Sequence, residues 1–247
     1  PGATNCPSAS RALTEPNGLL AVGGGLSVPQ LLAAYQRGIF PWFDETQPVL
    51  WWSPCPRLVL KPANLHIAKS MRKLLRRAPY RVTTDNAFAR VIAACAEPRA
   101  DQHGTWISAK IQSAYTALHR LGYAHSIEVW QDEALVGGLY GVALGRVFFG
   151  ESMFSRADNA SKYGFITLVT ALKALGYELI DCQVRTPHLV SLGAEEIDRT
   201  QFELLLMNYI YGDKSDRIGV ADPLTDVMPR AGQWPLQFEP FTNDQES

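Results

Sequence analysis

The chain has 247 residues, 47% of them apolar, and a formal net charge of −1. That is enough apolar surface for one large domain, or a small one plus a medium one, and the missing basic excess excludes a nucleic-acid binder that works through overall charge, leaving only a local basic patch. Cys6, Cys55, Cys95 and Cys182 are scattered with no C-x-x-C pair, which argues against a disulfide framework or a zinc site and fits a reducing compartment.

No apolar stretch approaches the roughly eighteen residues of a membrane span, and no signal-peptide pattern opens the chain. The expectation is a cytoplasmic protein with no membrane partner and no metal.

Residues 1–14 are polar and turn-rich and read as a loose arm. Gly23, Gly24 and Gly25 suit a tight turn or a close backbone approach. No Gly-Lys-Ser/Thr follows, so this is not a nucleotide-phosphate loop. Ser27 and Pro29 start a short helix that carries Leu31, Leu32 and Tyr35 and ends at Gly38. Phe40, Trp42, Phe43, Trp51 and Trp52 then fall within thirteen residues, among prolines that forbid long regular structure. Residues 1–60 read as a small, aromatic-rich N-terminal domain, and 61–247 as a second, larger one.

A helix is expected over 65–77, with Ile67, Met71, Leu74 and Leu75 as its apolar stripe. A strand over 80–84 follows. Asp85 is expected to cap a helix that turns Phe88, Val91, Ile92 and Cys95 inward. Ser108 caps another, with Ile111, Tyr115 and Leu118 on one face and Gly122 closing it. Three strands over 126–130, 134–143 and 146–154 come next, joined by turns at 131–133 and 144–145. A helix over 160–175 ends at Gly176, an apolar strand follows over 179–184, a short helix over 188–192 ends at Gly193, and a last helix covers 200–211. The remaining residues carry several Pro, Gly and Asp and read as irregular.

From residue 80 on, this order is similar to the GNAT (acetyltransferase) fold: helices, a three-stranded antiparallel meander, a helix, a parallel strand, and a small helix with a Gly turn. The class expected is mixed α/β (α+β), GNAT-like, with the small N-terminal domain. More specific blocks follow in order. Glu15-Pro16-Asn17-Gly18-Leu19-Leu20, Ala34-Tyr35-Gln36-Arg37-Gly38-Ile39-Phe40-Pro41-Trp42-Phe43 and Trp51-Trp52-Ser53-Pro54 resemble the leucyl/phenylalanyl-tRNA–protein transferase family. So do Gly104-Thr105-Trp106-Ile107, His125-Ser126-Ile127-Glu128-Val129-Trp130, Gly150-Glu151-Ser152-Met153-Phe154-Ser155 and Asp181-Cys182-Gln183-Val184. They cover roughly 15–197. The resemblance implies transfer of Leu, Phe or sometimes Met from aminoacyl-tRNA to a protein with N-terminal Arg or Lys, whose new N-terminus marks it for degradation. Its partners are then aminoacyl-tRNA and acceptor proteins, with no cofactor and no metal.

The alternative is a CoA-dependent N-acetyltransferase. Such enzymes carry a Gly-rich R/Q-x-x-G-x-G/A loop that lets backbone N–H groups reach the pyrophosphate. Here the loop reads Ser155-Arg156-Ala157-Asp158-Asn159-Ala160-Ser161-Lys162, without glycines and with an acidic residue. The residues therefore argue against CoA, independently of the family blocks. A non-catalytic RNA-binding module is a third reading.

Lys69, Arg72, Lys73, Arg76 and Arg77, with Arg81 beyond, make a basic face with no acidic residue from 69 to 81. A solvated helix face has the same composition; in a chain near neutrality the asymmetry also suits a surface that tracks tRNA phosphates. The aromatic cluster divides likewise between core and ligand site. A tRNA 3′ adenosine is held by stacking on rings, and the resemblance points to Trp42 and Trp106, with Tyr35 and Tyr115 nearby. Trp51 and Trp52 are assigned to structure.

One apolar pocket can accept Leu, Phe and Met, because one methylene is worth only about 1–3 kcal/mol. Leu139, Phe148, Met153, Phe165, Leu168 and Ile180 are its candidate walls, with Ser155 at the strand exit, and each is equally at home in an ordinary core. Asp181 and Gln183 lie two apart near a strand end and are expected to share a face. With Glu151 they form the candidate catalytic group: Gln183 to order the attacking amine, Asp181 to orient Gln183, Glu151 to meet the acceptor's positive charge. A strand-end network that only caps the next helix would use the same residues. No histidine is placed to activate Cys182, so it is not assigned as a nucleophile, and His125 and His188 are assigned to structure.

Overall fold

The computed structural model describes residues 7–98 and 106–212, together with Trp234 and Phe238. In chain order the elements are β1 (Leu19–Val22), α1 (Val28–Tyr35), β2 (Phe40–Pro41), β3 (Leu50–Trp52), β4 (Arg57–Leu60), α2 (Lys69–Arg77), β5 (Arg81–Thr84), α3 (Phe88–Cys95) and α4 (Ala109–Arg120). There follow β6 (Ala124–Gln131), β7 (Ala134–Leu144), β8 (Val147–Ser155), α5 (Ala160–Ala174), β9 (Leu179–Gln183), α6 (Pro187–Ser191), β10 (Glu195–Ile197) and α7 (Arg199–Tyr211).

The main sheet runs β10-β4-β9-β8-β7-β6-β5. Among the described residues of this sheet only β8 and β9 pair in parallel; every other neighbour is antiparallel. The three-stranded meander, the helix α5 and the parallel β9 therefore stand in the expected acetyltransferase-like order. A separate sheet β1-β3-β2 carries the N-terminal aromatics. One core lies on each face of the main sheet: Tyr35, Tyr115, Tyr140, Phe149 and Phe202 on one, Leu139, Phe148, Phe165, Leu168 and Ile180 on the other.

Four local expectations are corrected. The sequence puts Arg57–Leu60 at the end of the N-terminal segment, but β4 is inserted in the main sheet between β10 and β9. All four of its residues are buried, so it shows no alternation to mark it as a strand. The helix expected over 65–77 begins at Lys69: the His66 N–H is taken by the Leu192 carbonyl at 2.9 Å, and Ala68, just before the helix, is extended. Asp85 does not cap α3. It accepts from the Ser126 N–H at 2.9 Å and pairs with His125 at 2.7 Å, while Glu128 takes the Ala87 N–H at 3.2 Å at the helix start. The turn expected at 144–145 falls instead on Gly145 and Arg146. Ser108 does cap α4, through the Ile111 N–H.

Gly38 closes α1 with φ +69°, in the left-handed region. A Cβ there would lie 2.4 Å from Phe202, so the same glycine lets α7 pack against the end of α1.

Candidate active site

The site follows from one break in the sheet. β8 and β9 pair through Val147–Leu179, Phe148–Ile180 and Phe149–Asp181, and then diverge. On the other side of β8 the register with β7 slips: Gly141 pairs with Gly150 and Tyr140 with Ser152, which leaves Glu151 as the extra residue of a bulge. A bulge re-aims the side chain it carries. Gly141 is needed opposite it, since a Cβ there would lie 2.3 Å from the Phe149 carbonyl and 2.5 Å from the Phe148 ring.

A cavity of about 340 Å³ opens where the strands part. Its lining is drawn from the cores on both faces of the sheet. Leu139, Phe148, Met153, Phe165 and Ile180 line its apolar end, on the α5 side. Trp42, Trp106, Tyr140, Glu151 and Gln183 line the other end.

Glu151 gathers the polar end. Its Oε1 accepts from Tyr35 Oη at 2.7 Å and from Gln183 Nε2 at 3.2 Å, and its Oε2 from Tyr115 Oη at 2.9 Å. The Tyr35 and Tyr115 hydroxyls also touch each other. Burial pushes the Glu151 carboxyl up to about 7; the two tyrosine hydrogen bonds oppose that, the Asp181 charge adds to it and the Arg57 charge opposes it. Burial and then the Glu151 charge hold Tyr35, Tyr115 and Tyr140 well above the usual phenol range, so all three remain neutral hydroxyls.

Gln183 ends β9 with φ +62°, a left-handed conformation that side chains disfavour. Its Nε2 also donates to the Gly150 carbonyl at 3.1 Å. Asp181 is fully buried and its carboxylate receives three bonds: Arg57 Nε at 2.8 Å, Arg57 Nη2 at 2.6 Å and the Gln183 backbone N–H at 2.9 Å. Asp181 thus reaches Gln183 through the main chain rather than through the amide side chain. Cys182, between them, lines the cavity, and burial pushes its thiol far up, which keeps it from acting as a thiolate.

Several candidates stand elsewhere than expected. Tyr35 and Tyr115 are 1% and 0% exposed, with their rings packed against Phe149 and Tyr140, so neither offers a face to a base. They serve Glu151 instead. Trp42 is 49% exposed at the mouth of the cavity, edge-on to Trp52 at 5.6 Å. Trp51 and Trp52 are tied to the backbone, Nε1 to the Gly23 carbonyl at 3.0 Å and to the Trp42 carbonyl at 2.6 Å. Leu168 is buried in the core behind the cavity and does not line it. Ser155 is exposed; its Oγ donates to the Ala157 carbonyl at 3.0 Å and accepts from the Ser161 N–H at 3.1 Å, which fixes the start of α5. On α2, Met71 and Leu75 are buried while Lys69, Lys73, Arg76 and Arg77 are exposed. Arg72 donates to the Ile67 carbonyl at 3.1 Å, and the exposed Arg81 lies over the Trp130 ring at 5.4 Å.

Arg57 and Tyr140 are not legible as site residues in the sequence. A lone Arg beside an apolar Leu-Val-Leu run is the one visible sign of the first; Tyr140 gives no local sign at all. Among the described residues no three His, Cys, Asp or Glu side chains cluster as metal ligands would, and no helix is long and apolar enough to cross a membrane.

Residues 59–207 match the family model of the leucyl/phenylalanyl-tRNA protein transferase, and residues 24–55 that of its N-terminal domain. The chain belongs to the leucyl/phenylalanyl-tRNA–protein transferase family. The transferase of Cellvibrio japonicus is 60% identical over 203 residues, 82% of this chain and 86% of that protein. That of Pseudomonas fluorescens is 60% identical over 204 residues, 83% and 90% of the two. Among solved structures, a GCN5-related N-acetyltransferase from Kribbella flavida is similar at 13% identity and a TM-score of 0.31, over 66% of this chain and 58% of that one. The family's chemistry is aminoacyl transfer, and the enzyme of this chain is a transferase.

Proposed function

We propose that this transferase moves Leu, Phe or Met from aminoacyl-tRNA onto the α-amine of proteins that begin with Arg or Lys, marking them for degradation. The observation that carries the reading is the cavity lined from both faces of the sheet, apolar at one end and built around Glu151 and Gln183 at the other. The aminoacyl side chain occupies the apolar end, beside Leu139, Phe148, Met153, Phe165 and Ile180. The ester and the acceptor meet at the polar end, and the terminal adenosine stacks on Trp42 and Trp106 at the mouth. The exposed cations of α2 take tRNA phosphates.

The donor is already an activated ester, and the acceptor α-amine has a pKa of about 7.7–8.0, so positioning supplies much of the acceleration. The amine nitrogen attacks the ester carbonyl carbon. The C–N bond forms, the bond to the ribose 3′ oxygen breaks, and the amine's proton ends on that oxygen by way of the neighbouring 2′-OH or water. Gln183 spends its Nε2 on Gly150 and Glu151, which leaves Oε1 to accept from the amine. Glu151 draws the cationic acceptor to the same corner.

Radiolabelled leucyl-tRNA with an Arg-starting peptide tests this. The expected product is the leucyl-peptide, with Gln183→Ala lowering kcat and kcat/KM together. No transfer by the parent, or full activity in Gln183→Ala at saturating donor, overturns the reading.

A further inference from the structure

The Arg57–Asp181 pair is almost wholly buried, with Arg57 1% exposed and Asp181 0%. The guanidinium grips the carboxylate at two points. Its faces are covered by Phe40 at 4.9 Å and Phe202 at 4.7 Å, and its Nη1 has no hydrogen-bond partner among the described residues. Stability alone does not account for such a pair, since well-packed apolar residues of the same volume often hold a fold as well. The third bond to the carboxylate gives the reason. Asp181 Oδ1 takes the N–H of Gln183, the residue with φ +62°. At this point β9 slips against β4: Leu58 pairs with Gln183 and Val59 with Asp181, so Cys182 is an extra residue. The bulge and the left-handed turn together carry the Gln183 side chain across to Gly150 and Glu151 on β8.

We infer that Arg57 is a positioning residue of the transfer site. It fixes the plane of the Asp181 carboxylate, the carboxylate fixes the Gln183 N–H, and the turn held in this way sets the Gln183 amide. Arg57 touches no substrate. A two-point fork is required, because a lysine ammonium fixes neither the plane nor the direction of a carboxylate. The inference rests on the reading that Gln183 meets the attacking amine.

A double-mutant cycle tests it, with leucyl-tRNA and an Arg-starting peptide as substrates. Arg57→Lys should lower kcat about ten- to a hundredfold and leave both KM values within about twofold. In a Gln183→Ala background the same change should cause no further loss, because the group it positions is gone. Thermal melts establish that each variant folds. Should Arg57→Lys fail to fold, Arg57→Met with Asp181→Leu removes both charges and takes its place in the cycle, with the same expectation. A full kcat in the folded Arg57 variant, or an equal loss in both backgrounds, overturns the inference while a slow Gln183→Ala still supports the reading beneath it. A fully active Gln183→Ala overturns both.

Discussion

Tyr115 donates its hydroxyl to Glu151 at 2.9 Å, from a helix to a strand bulge, and so holds a carboxyl whose burial raises it from 4.5 to about 7. Between those two values the folded protein keeps a proton that the unfolded chain has released. Stability therefore falls as pH rises through that window, by about 3 kcal/mol. Glu151→Gln lacks the titration. Its Tm should be close to the parent's near pH 5 and above it near pH 8. The same ionisation makes the carboxylate available to a cation, so the parent's KM for an Arg-starting peptide should rise below about pH 7. A Tm difference that stays constant across the range would show that the carboxyl titrates normally.

Tyr140 presents the opposite case. Its hydroxyl is buried beside the cavity with no hydrogen-bond partner among the described residues. Leaving such a group unsatisfied costs about 1–3 kcal/mol. Tyr140→Phe removes the hydroxyl and keeps the ring that packs on Phe88 and Tyr115. The variant should melt at the parent's temperature or a few degrees above it. A lower Tm would mean that the hydroxyl has a partner that stabilises the fold.

Trp42 is half-exposed, and the hydrogen bond it accepts from Trp52 is made by its backbone carbonyl, so removing the indole keeps that bond and loses only the edge contact with the Trp52 ring. Trp42→Ala should raise the KM of both aminoacyl-tRNA and a short aminoacyl-adenosine donor, by the factor that corresponds to about 1–3 kcal/mol of stacking, with little change in Tm. Trp42→Phe should recover part of it. Unchanged KM values for both donors would remove Trp42 from the adenosine site.

Arg76 and Arg77 are exposed at the C-terminal end of α2, away from its buried Met71 and Leu75. Replacing both with Ala should weaken aminoacyl-tRNA binding at moderate salt and flatten its salt slope by up to about two, one for each arginine that neutralises a phosphate. The short donor, which lacks the acceptor stem, should react as before. A filter-binding titration over several salt concentrations reads the slope, and an unchanged slope would leave the helix face to solvent alone.

The features legible from the residues alone are local. The meander, the Ser108 cap and the burial of Met71 and Leu75 on α2 follow from periods and end signals that lie within a few residues of one another; Ile67, expected in the same stripe, falls before the helix and Leu74 is only partly buried. The family blocks are equally local, and they brought Glu151, Asp181 and Gln183 into one candidate group, which the divergence of β8 from β9 brings together in space. Who partners whom depends on the packed sheet. Asp181 meets Arg57 from 124 positions away, and Glu151 meets Tyr35 from 116, so rings that suit a platform for a base are hydrogen-bond donors to the Glu151 carboxyl. The same packing places β4 within the main sheet, and leaves Leu168 and Ser155 outside the cavity. The physical reason is the same in each case: a period shows that a residue is buried, but burial is satisfied by any neighbour of the right shape, and only the packed sheet selects which one.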